Sequence, residues 1–342
     1  MLRKLFSVSV IVMGLIGIAT TGQAASSFFE GKTIRIIVGL SAGGGYDMWA
    51  RAIGRHLGQN VPGHPSVIVD NMPGAGSMIA GNYMYERAKP DGLTIGHVSG
   101  GIVMNQILGR PGAQFDARKF EYLGAPYQDD MVAFIRKGRG ITNIKQWRSA
   151  KEPVKFGGQA PGATFSDNMP RILRAALGLP IKPVTGYKGT AEVKLAIATG
   201  EVDGNCLSWE SGKATWRKQL ETGEIIPIIQ GTAEPIPEIP NVAMAIRLAK
   251  TDKARRLIVA GLQEPSVYAR PFFLPPGTPA DRVETLRDAF AATMKDPAFL
   301  ADLKKARLNP KPATAAELTK VINDLFNMDQ SMKDELKGLL YQ

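Results

Sequence analysis

Ile34-Arg35-Ile36-Ile37-Val38-Gly39-Leu40-Ser41-Ala42-Gly43-Gly44-Gly45-Tyr46-Asp47 is an apolar run that breaks into a glycine-rich turn and then restarts as an amphipathic segment. Ile34, Ile36, Ile37 and Val38 are β-branched and nearly continuous, the pattern of a strand buried on both faces of a parallel sheet. Trp49, Ile53 and Leu57 follow at i, i+4 and i+8, which predicts a helix from about Tyr46 to Leu57 with one apolar face. The unit is therefore strand, glycine turn, helix. Consecutive glycines allow a ligand close to the backbone, and the first turn of a helix presents unpaired N–H groups with partial positive charge. Such a turn suits an anion.

The same grammar repeats outward from this unit. Pro62-Gly63-His64-Pro65 turns the chain into a strand at Val67–Val69, and Asn71-Met72-Pro73-Gly74-Ala75-Gly76-Ser77 is a second glycine-rich turn before a helix from about Ile79 to Ala88. A third strand, Leu93–Val98, ends in Ser99-Gly100-Gly101. In a parallel sheet these three turns gather at the carboxyl edge, where ligands bind. A fresh set begins at Val132–Arg136 and continues through Val154–Gly157, the turn Gly158–Thr164, a helix from Phe165 to Leu177, a helix opened by Tyr187-Lys188-Gly189-Thr190, and a strand near Asn205–Leu207. Two lobes are expected: residues 25–125 with 231–342, and an inserted second lobe at 126–230. Helix starts are predicted at Thr278-Pro279-Ala280-Asp281 and Thr314-Ala315-Ala316-Glu317 from their capping patterns.

Arg3 and Lys4, the apolar stretch Leu5–Ala19 and Gly22-Gln23-Ala24 form an export signal with cleavage expected after Ala24, so residues 1–24 are read as a leader. The apolar stretch falls short of the roughly 20 residues that span a bilayer. The chain has 342 residues and a formal net charge of +11, which favours anionic partners. Its basic clusters, Lys253-Ala254-Arg255-Arg256 the densest, are not interleaved with aromatics as in a nucleic-acid site. The single cysteine, Cys206, forms no internal disulfide and reads as a small buried hydrophobe. The three histidines, His56, His64 and His97, lack metal-ligand spacing, so no metal or cofactor is expected.

Several chemistries fail on spacing. Gly39, Gly43, Gly44 and Gly45 do not make a dinucleotide fingerprint, and no Gly-Lys-Ser/Thr follows for a phosphate loop. No G-x-S-x-G nucleophile is present, and no nucleophile and base can be paired, so an enzyme is disfavoured. Asp47 at a helix start commonly caps backbone, and a bare carboxylate would repel an anionic guest, so its cleft role is to hold the loop or an ordered water. Ser41, Tyr46, Ser77 and Ser99 carry hydroxyls for a guest or for their own turns. Trp209 and Glu210, beside Ser208, either face the cleft or are a packed indole and a surface acid.

The succession Gly43-Gly44-Gly45-Tyr46-Asp47 with Ala50-Arg51, Asn71-Met72-Pro73-Gly74-Ala75-Gly76, Pro90-Asp91-Gly92, Gly186-Tyr187-Lys188-Gly189, Gly200-Glu201-Val202-Asp203 and Pro275-Pro276-Gly277-Thr278-Pro279 resembles the substrate-binding proteins of tripartite tricarboxylate transporters, the Bug family. The resemblance implies a type II periplasmic-binding-protein fold, two α/β lobes around a cleft. It implies a periplasmic monomer that takes up a small organic carboxylate, whether a di-, tri- or aromatic acid, and hands it to the large and small membrane subunits of a permease. A periplasmic sensor that presents the acid to a signalling receptor is the alternative. Carried over by motif, the ligand residues are Ser41, Ala42, Gly43, Gly44, Tyr46, Asp47, Gly76, Ser77, Ser99 and Gly100, then Gln159, Gly162, Ala163 and Thr164, with Ser208 and Trp209. The chain departs from the family pattern at Gly39-Leu40, where proline and an aromatic are usual, at Tyr46 for threonine or serine, and at Leu207-Ser208 for Asp-Ser. An unusual guest is the expectation.

Overall fold

The structure is a computed structural model and describes residues 28–162, 164–306 and 308–341. The expected leader and Ala163 lie outside the described residues. The chain opens with β1 (Thr33–Val38), α1 (Gly45–Asn60), β2 (Ser66–Asn71), α2 (Met78–Glu86), β3 (Thr94–His97), α3 (Gly101–Ile107) and β4 (Glu121–Ala125). It then crosses to β5 (Met131–Arg136), α4 (Ile144–Arg148), β6 (Val154–Gly157), α5 (Phe165–Leu177), β7 (Ile181–Val184), α6 (Thr190–Thr199), β8 (Gly204–Ser208), α7 (Trp209–Thr215), α8 (Arg217–Glu221), β9 (Ile225–Gln230), β10 (Ala243–Met244), α9 (Ala245–Leu248) and α10 (Asp252–Ile258). The return brings β11 (Phe272–Leu274), α11 (Ala280–Thr293), α12 (Pro297–Ala306), β12 (Ala313–Thr314), α13 (Ala315–Phe326) and α14 (Gln330–Leu340).

Among the described residues the strands form two six-stranded sheets, ordered β12-β4-β11-β3-β1-β2 and β10-β9-β5-β8-β6-β7. Each has a parallel half, β3-β1-β2 in one and β8-β6-β7 in the other. Beside each parallel half runs one antiparallel strand that arrives from the other sheet, β11 in the first and β5 in the second. Parallel strands buried on both faces read as unbroken apolar runs, and Ile34, Ile36, Ile37 and Val38 are all fully buried. The three turns after β1, β2 and β3 therefore share one edge, and the turns after β6 and β8 face them. The result is a two-sheet α/β architecture, as the sequence resemblance implies.

Element edges differ from the sequence expectation in instructive places. The strand at Ala243–Met244 extends the second sheet, beyond the Gln230 boundary expected for that lobe. Helix α14, expected with the first lobe, packs on α5. The Thr278 hydroxyl donates to the Pro275 carbonyl at 2.8 Å instead of capping a helix, and α11 starts from Pro279 with no side-chain cap. The Thr314–Glu317 box forms as expected, each side chain bonding the other's backbone N–H. Cys206 is fully buried. One buried cluster runs without a break from Ile37, Val98 and Met104 to Met131, Phe156 and Met169, so the two sheets share a core on one side.

Candidate functional site

The first glycine turn is held from inside. Gly43, at φ +80°, donates its N–H to Asp47 Oδ2 at 2.9 Å. Asn71 donates to Asp47 Oδ1 at 3.0 Å and to the Leu40 carbonyl at 2.9 Å, and Arg51 Nε donates to the same carboxylate at 3.0 Å. Burial alone would raise the Asp47 pKa, but the bonds from Arg51, Gly43 and Asn71 outweigh it and hold the carboxyl below its ordinary range. Asp47 is thus a clamp that fixes the turn, with its acceptors turned toward its own loop. The first bond of α1 is Met48 N–H to Gly44 C=O at 2.9 Å. The N–H groups of Gly45, Tyr46 and Asp47 precede it and carry the helix's partial positive charge.

Behind this turn, Ser77 ties the other two together. Its hydroxyl donates to the Gly39 carbonyl at 3.1 Å and accepts the Ser99 N–H at 3.1 Å. A Cβ at Gly39 would stand 2.7 Å from Ser77 Cβ, so glycine here goes with that close approach. In the second half, Thr164 Oγ1 lies 2.7 Å from Gln159 Oε1 and 2.6 Å from Asp167 Oδ2, while capping α5. Burial pushes Asp167 up to about 6, against the hydrogen bond from Thr164.

The two halves meet at glycines. Gly44 faces Thr190 at 3.6 Å from where its Cβ would be, Gly189 packs on the Ser41 side chain, and a Cβ at Gly45 would lie 2.9 Å from Ser211 Cβ. The cavity enclosed there is lined by Leu40, Gly45, Tyr46, Asp129, Met131, Gln159, Thr164, Phe165, Ser166, Thr190, Leu207, Ser208, Ser211 and Arg270. It has room for about one water. Arg270, 3% exposed, sits at its base. Arg270 Nε donates to Asp129 Oδ1 at 2.5 Å, and Nη2 donates to Ser208 Oγ at 3.0 Å and Ser211 Oγ at 2.8 Å. Nη1 has no protein partner among the described residues.

Around that guanidinium the surroundings are aromatic. The Tyr46 ring lies 4.4 Å from Arg270 Cζ, and its hydroxyl donates to the Ala269 carbonyl at 2.9 Å. Burial raises the Tyr46 hydroxyl to about 12, keeping it a neutral donor. His97 stacks on Phe272 at 4.0 Å, and burial, with the Arg270 charge nearby, lowers it to about 3, so the imidazole is neutral. Burial pushes the Asp129 carboxyl up and Arg270 opposes it. For Arg270, burial works against the charge but Asp129 and its neighbours more than offset it, so the guanidinium stays cationic.

Of the residues expected at the ligand, Tyr46, Gln159, Thr164 and Ser208 line the cavity. Ser41 and Gly44 stand at the seam between the halves, and Ala42 and Gly43 lie exposed on the outside of the turn. Asp47, Gly76, Ser77, Ser99 and Gly100 are buried in the first half and do not line this cavity; a Cβ at Gly100 would meet the Tyr268 carbonyl carbon at 2.8 Å. Gly162 faces the Tyr341 ring, where a Cβ would meet Cδ1 at 2.8 Å. Trp209 is a packed indole, stacked on Phe134 and donating to Glu238 at 2.8 Å. Sequence reasoning missed Asp129, Ser166, Thr190, Ser211 and Arg270. The available signal was an arginine set directly before the buried run Pro271-Phe272-Phe273-Leu274, a place where a charge needs a partner.

Among the described residues there is no group of three or more His, Cys, Asp or Glu side chains placed to hold a metal ion, and no helix is long and apolar enough to cross a membrane. The fold matches the structure of the periplasmic binding protein BugD with a TM-score of 0.72 at 20% identity, covering 91% of this chain and 99% of that one. It matches MatC of Rhodopseudomonas palustris, a structure with bound malate, with a TM-score of 0.71 at 20% identity over 90% of this chain and 99% of that one. In sequence it is 22% identical to a UPF0065 protein of Bordetella pertussis (strain Tohama I), across 98% of this chain and 97% of that protein. Residues 49–337 match the tripartite tricarboxylate transporter family receptor, TctC, and the chain belongs to that family.

Proposed function

We propose that this is a periplasmic binding protein, not an enzyme, that captures a small organic carboxylate between its two sheets and delivers it to a tripartite tricarboxylate transporter permease. The observation that carries the reading is one of placement. The N-terminus of α1, the Gln159–Thr164 turn and the start of α6 converge on one cavity at the carboxyl edges of both parallel sheet halves, which has room for about one water here and widens for a guest as the halves part. Helix N-termini hold anions with pre-oriented N–H groups. The malate in MatC supports a carboxylate guest, and the family's description as a receptor of the transporter supports delivery.

The lobes of this reading divide at the crossings 126–130 and 267–271, with α14 docked on the second lobe. Closure is a hinge motion about these crossings, driven by contacts that the guest makes only when both lobes reach it. Export through the leader at residues 1–24 places the mature chain in the periplasm. A thermal-shift panel of mono-, di- and tricarboxylates tests the reading on the leaderless protein. An acid raises the melting temperature in a concentration-dependent way; stabilisation by sugars or amides alone, with no acid active, would refute it.

A further inference from the structure

Arg270 has a buried guanidinium with one end uncommitted. Its Nε hydrogen goes to Asp129 and its Nη2 is held by the hydroxyls of Ser208 and Ser211, while Nη1 has no protein acceptor among the described residues. Buried ionised groups find partners for their hydrogens in nearly all folded proteins. Nη1 lies 3.3 Å from where a Cβ on Gly45 would stand, so it opens beside the first turn of α1 and its unpaired N–H groups. The Tyr46 ring lies over the guanidinium, 4.4 Å from Cζ, so an acceptor for Nη1 comes in the plane of the fork.

We propose that Arg270 Nη1, together with the first-turn N–H groups of α1, is the anchor for the guest's carboxylate, and that the guest carries only that one negative charge. This deepens the capture reading and rests on it. The limit of one charge follows from the lining: among the described residues Arg270 is the one cation that faces the cavity, and it is already paired with Asp129. Asp167 lies behind Thr164 and adds no positive charge, and His97 behind Tyr46 is neutral. One carboxylate end-on against Nη1 meets the part of the guanidinium that Asp129, bound at Nε, does not hold. A second carboxylate would share a nearly water-free space with Asp129 and meet no second cation. Asp129 is thus the positioning residue that aims Arg270 and sets the charge the cavity accepts.

Calorimetric titration with length-matched acid pairs, butanoate against succinate and hexanoate against adipate, tests this on the leaderless protein and on Arg270→Gln, Arg270→Lys and Asp129→Asn. The wild type binds the better monoacid at least tenfold more tightly than its diacid partner. Arg270→Gln weakens that binding at least tenfold, Arg270→Lys weakens it less, and Asp129→Asn narrows the gap between mono- and diacid. A folded Arg270→Gln that binds like the wild type overturns the anchor, and a wild type that prefers the diacid overturns the charge count. Should Arg270→Gln not fold, a structure of the wild type with the monoacid decides. A carboxylate oxygen within hydrogen-bond distance of Nη1 supports the anchor, and one beyond about 4 Å, the outer limit for an ion pair, overturns it. If the wild type binds no acid of either kind, the capture reading itself fails, which the variants alone would not produce.

Discussion

Replacing Gly45 by alanine tests whether the two halves must touch at the α1 N-terminus for a guest to be held. The Gly45 backbone is outside the positive-φ region, so alanine fits it without strain, and alanine suits a helix start no worse than glycine. The added methyl meets the second half: 2.9 Å from Ser211 Cβ, nearer still to its hydroxyl, and 3.3 Å from Arg270 Nη1. Ser211 cannot swing away freely, because its Oγ accepts from Arg270 Nη2 at 2.8 Å. Overpacking of this kind costs about 1–3 kcal/mol, and it falls on the closed arrangement alone. Since about 1.4 kcal/mol is tenfold in affinity, Kd for a stabilising acid rises roughly 5- to 150-fold. The assay is calorimetric titration beside a thermal melt without ligand, with Gly338→Ala, whose Cβ meets nothing within 4 Å, as the control. A Gly45→Ala protein with wild-type affinity would refute the close contact and the closure built on it.

Three further perturbations read other parts of the site. Asp47→Asn removes the carboxylate that clamps Gly43, Asn71 and Arg51, and lowers stability by about 1–3 kcal/mol at neutral pH. Because the folded carboxyl is held below its ordinary value of 3.8, the gap between wild type and variant is full above about pH 4 and shrinks as pH falls through the lower folded value; melts from about pH 3 to 7 check it. Ser77→Ala breaks the link from Gly39 C=O to Ser99 N–H and lowers the urea midpoint, at an unchanged slope, by a free energy of about 1–3 kcal/mol. Tyr341→Phe removes the bond from its hydroxyl to Asn105 Oδ1 at 3.0 Å, which joins the chain's last helix to α3 across the seam. It weakens acid binding roughly 2- to 12-fold, from a net hydrogen bond of about 0.5–1.5 kcal/mol, although Tyr341 does not line the cavity; an unchanged titration would remove this seam from the account.

What the sequence yields depends on how local the cause is. The β1–turn–α1 unit is written in consecutive residues, the apolar run Ile34–Val38 and the spacing of Trp49, Ile53 and Leu57, and it forms where that pattern puts it. The Thr314–Glu317 box is equally local. Arg270 is not: its partner Asp129 is 141 positions away, on the other crossing between the sheets, and nothing in either neighbourhood pairs them. Gly162 looks like a ligand-turn glycine, yet the ring that fills its open side comes from Tyr341 near the chain's end. Trp209 looks like a cleft aromatic beside Ser208, but Phe134 and Glu238, both distant in sequence, draw it into packing. Backbone grammar was therefore legible, and side-chain partnership across the seam was not.

The most direct measurement is a crystal structure of the leaderless protein with the acid that stabilises it most. The carboxylate is expected against the N–H groups of Gly45 and Tyr46, with Gln159, Thr164 and Thr190 reaching the same guest from the other sheet. An acid bound outside the Ser41–Asp47 turn, or held by one sheet with the other turned away, would contradict capture between the lobes.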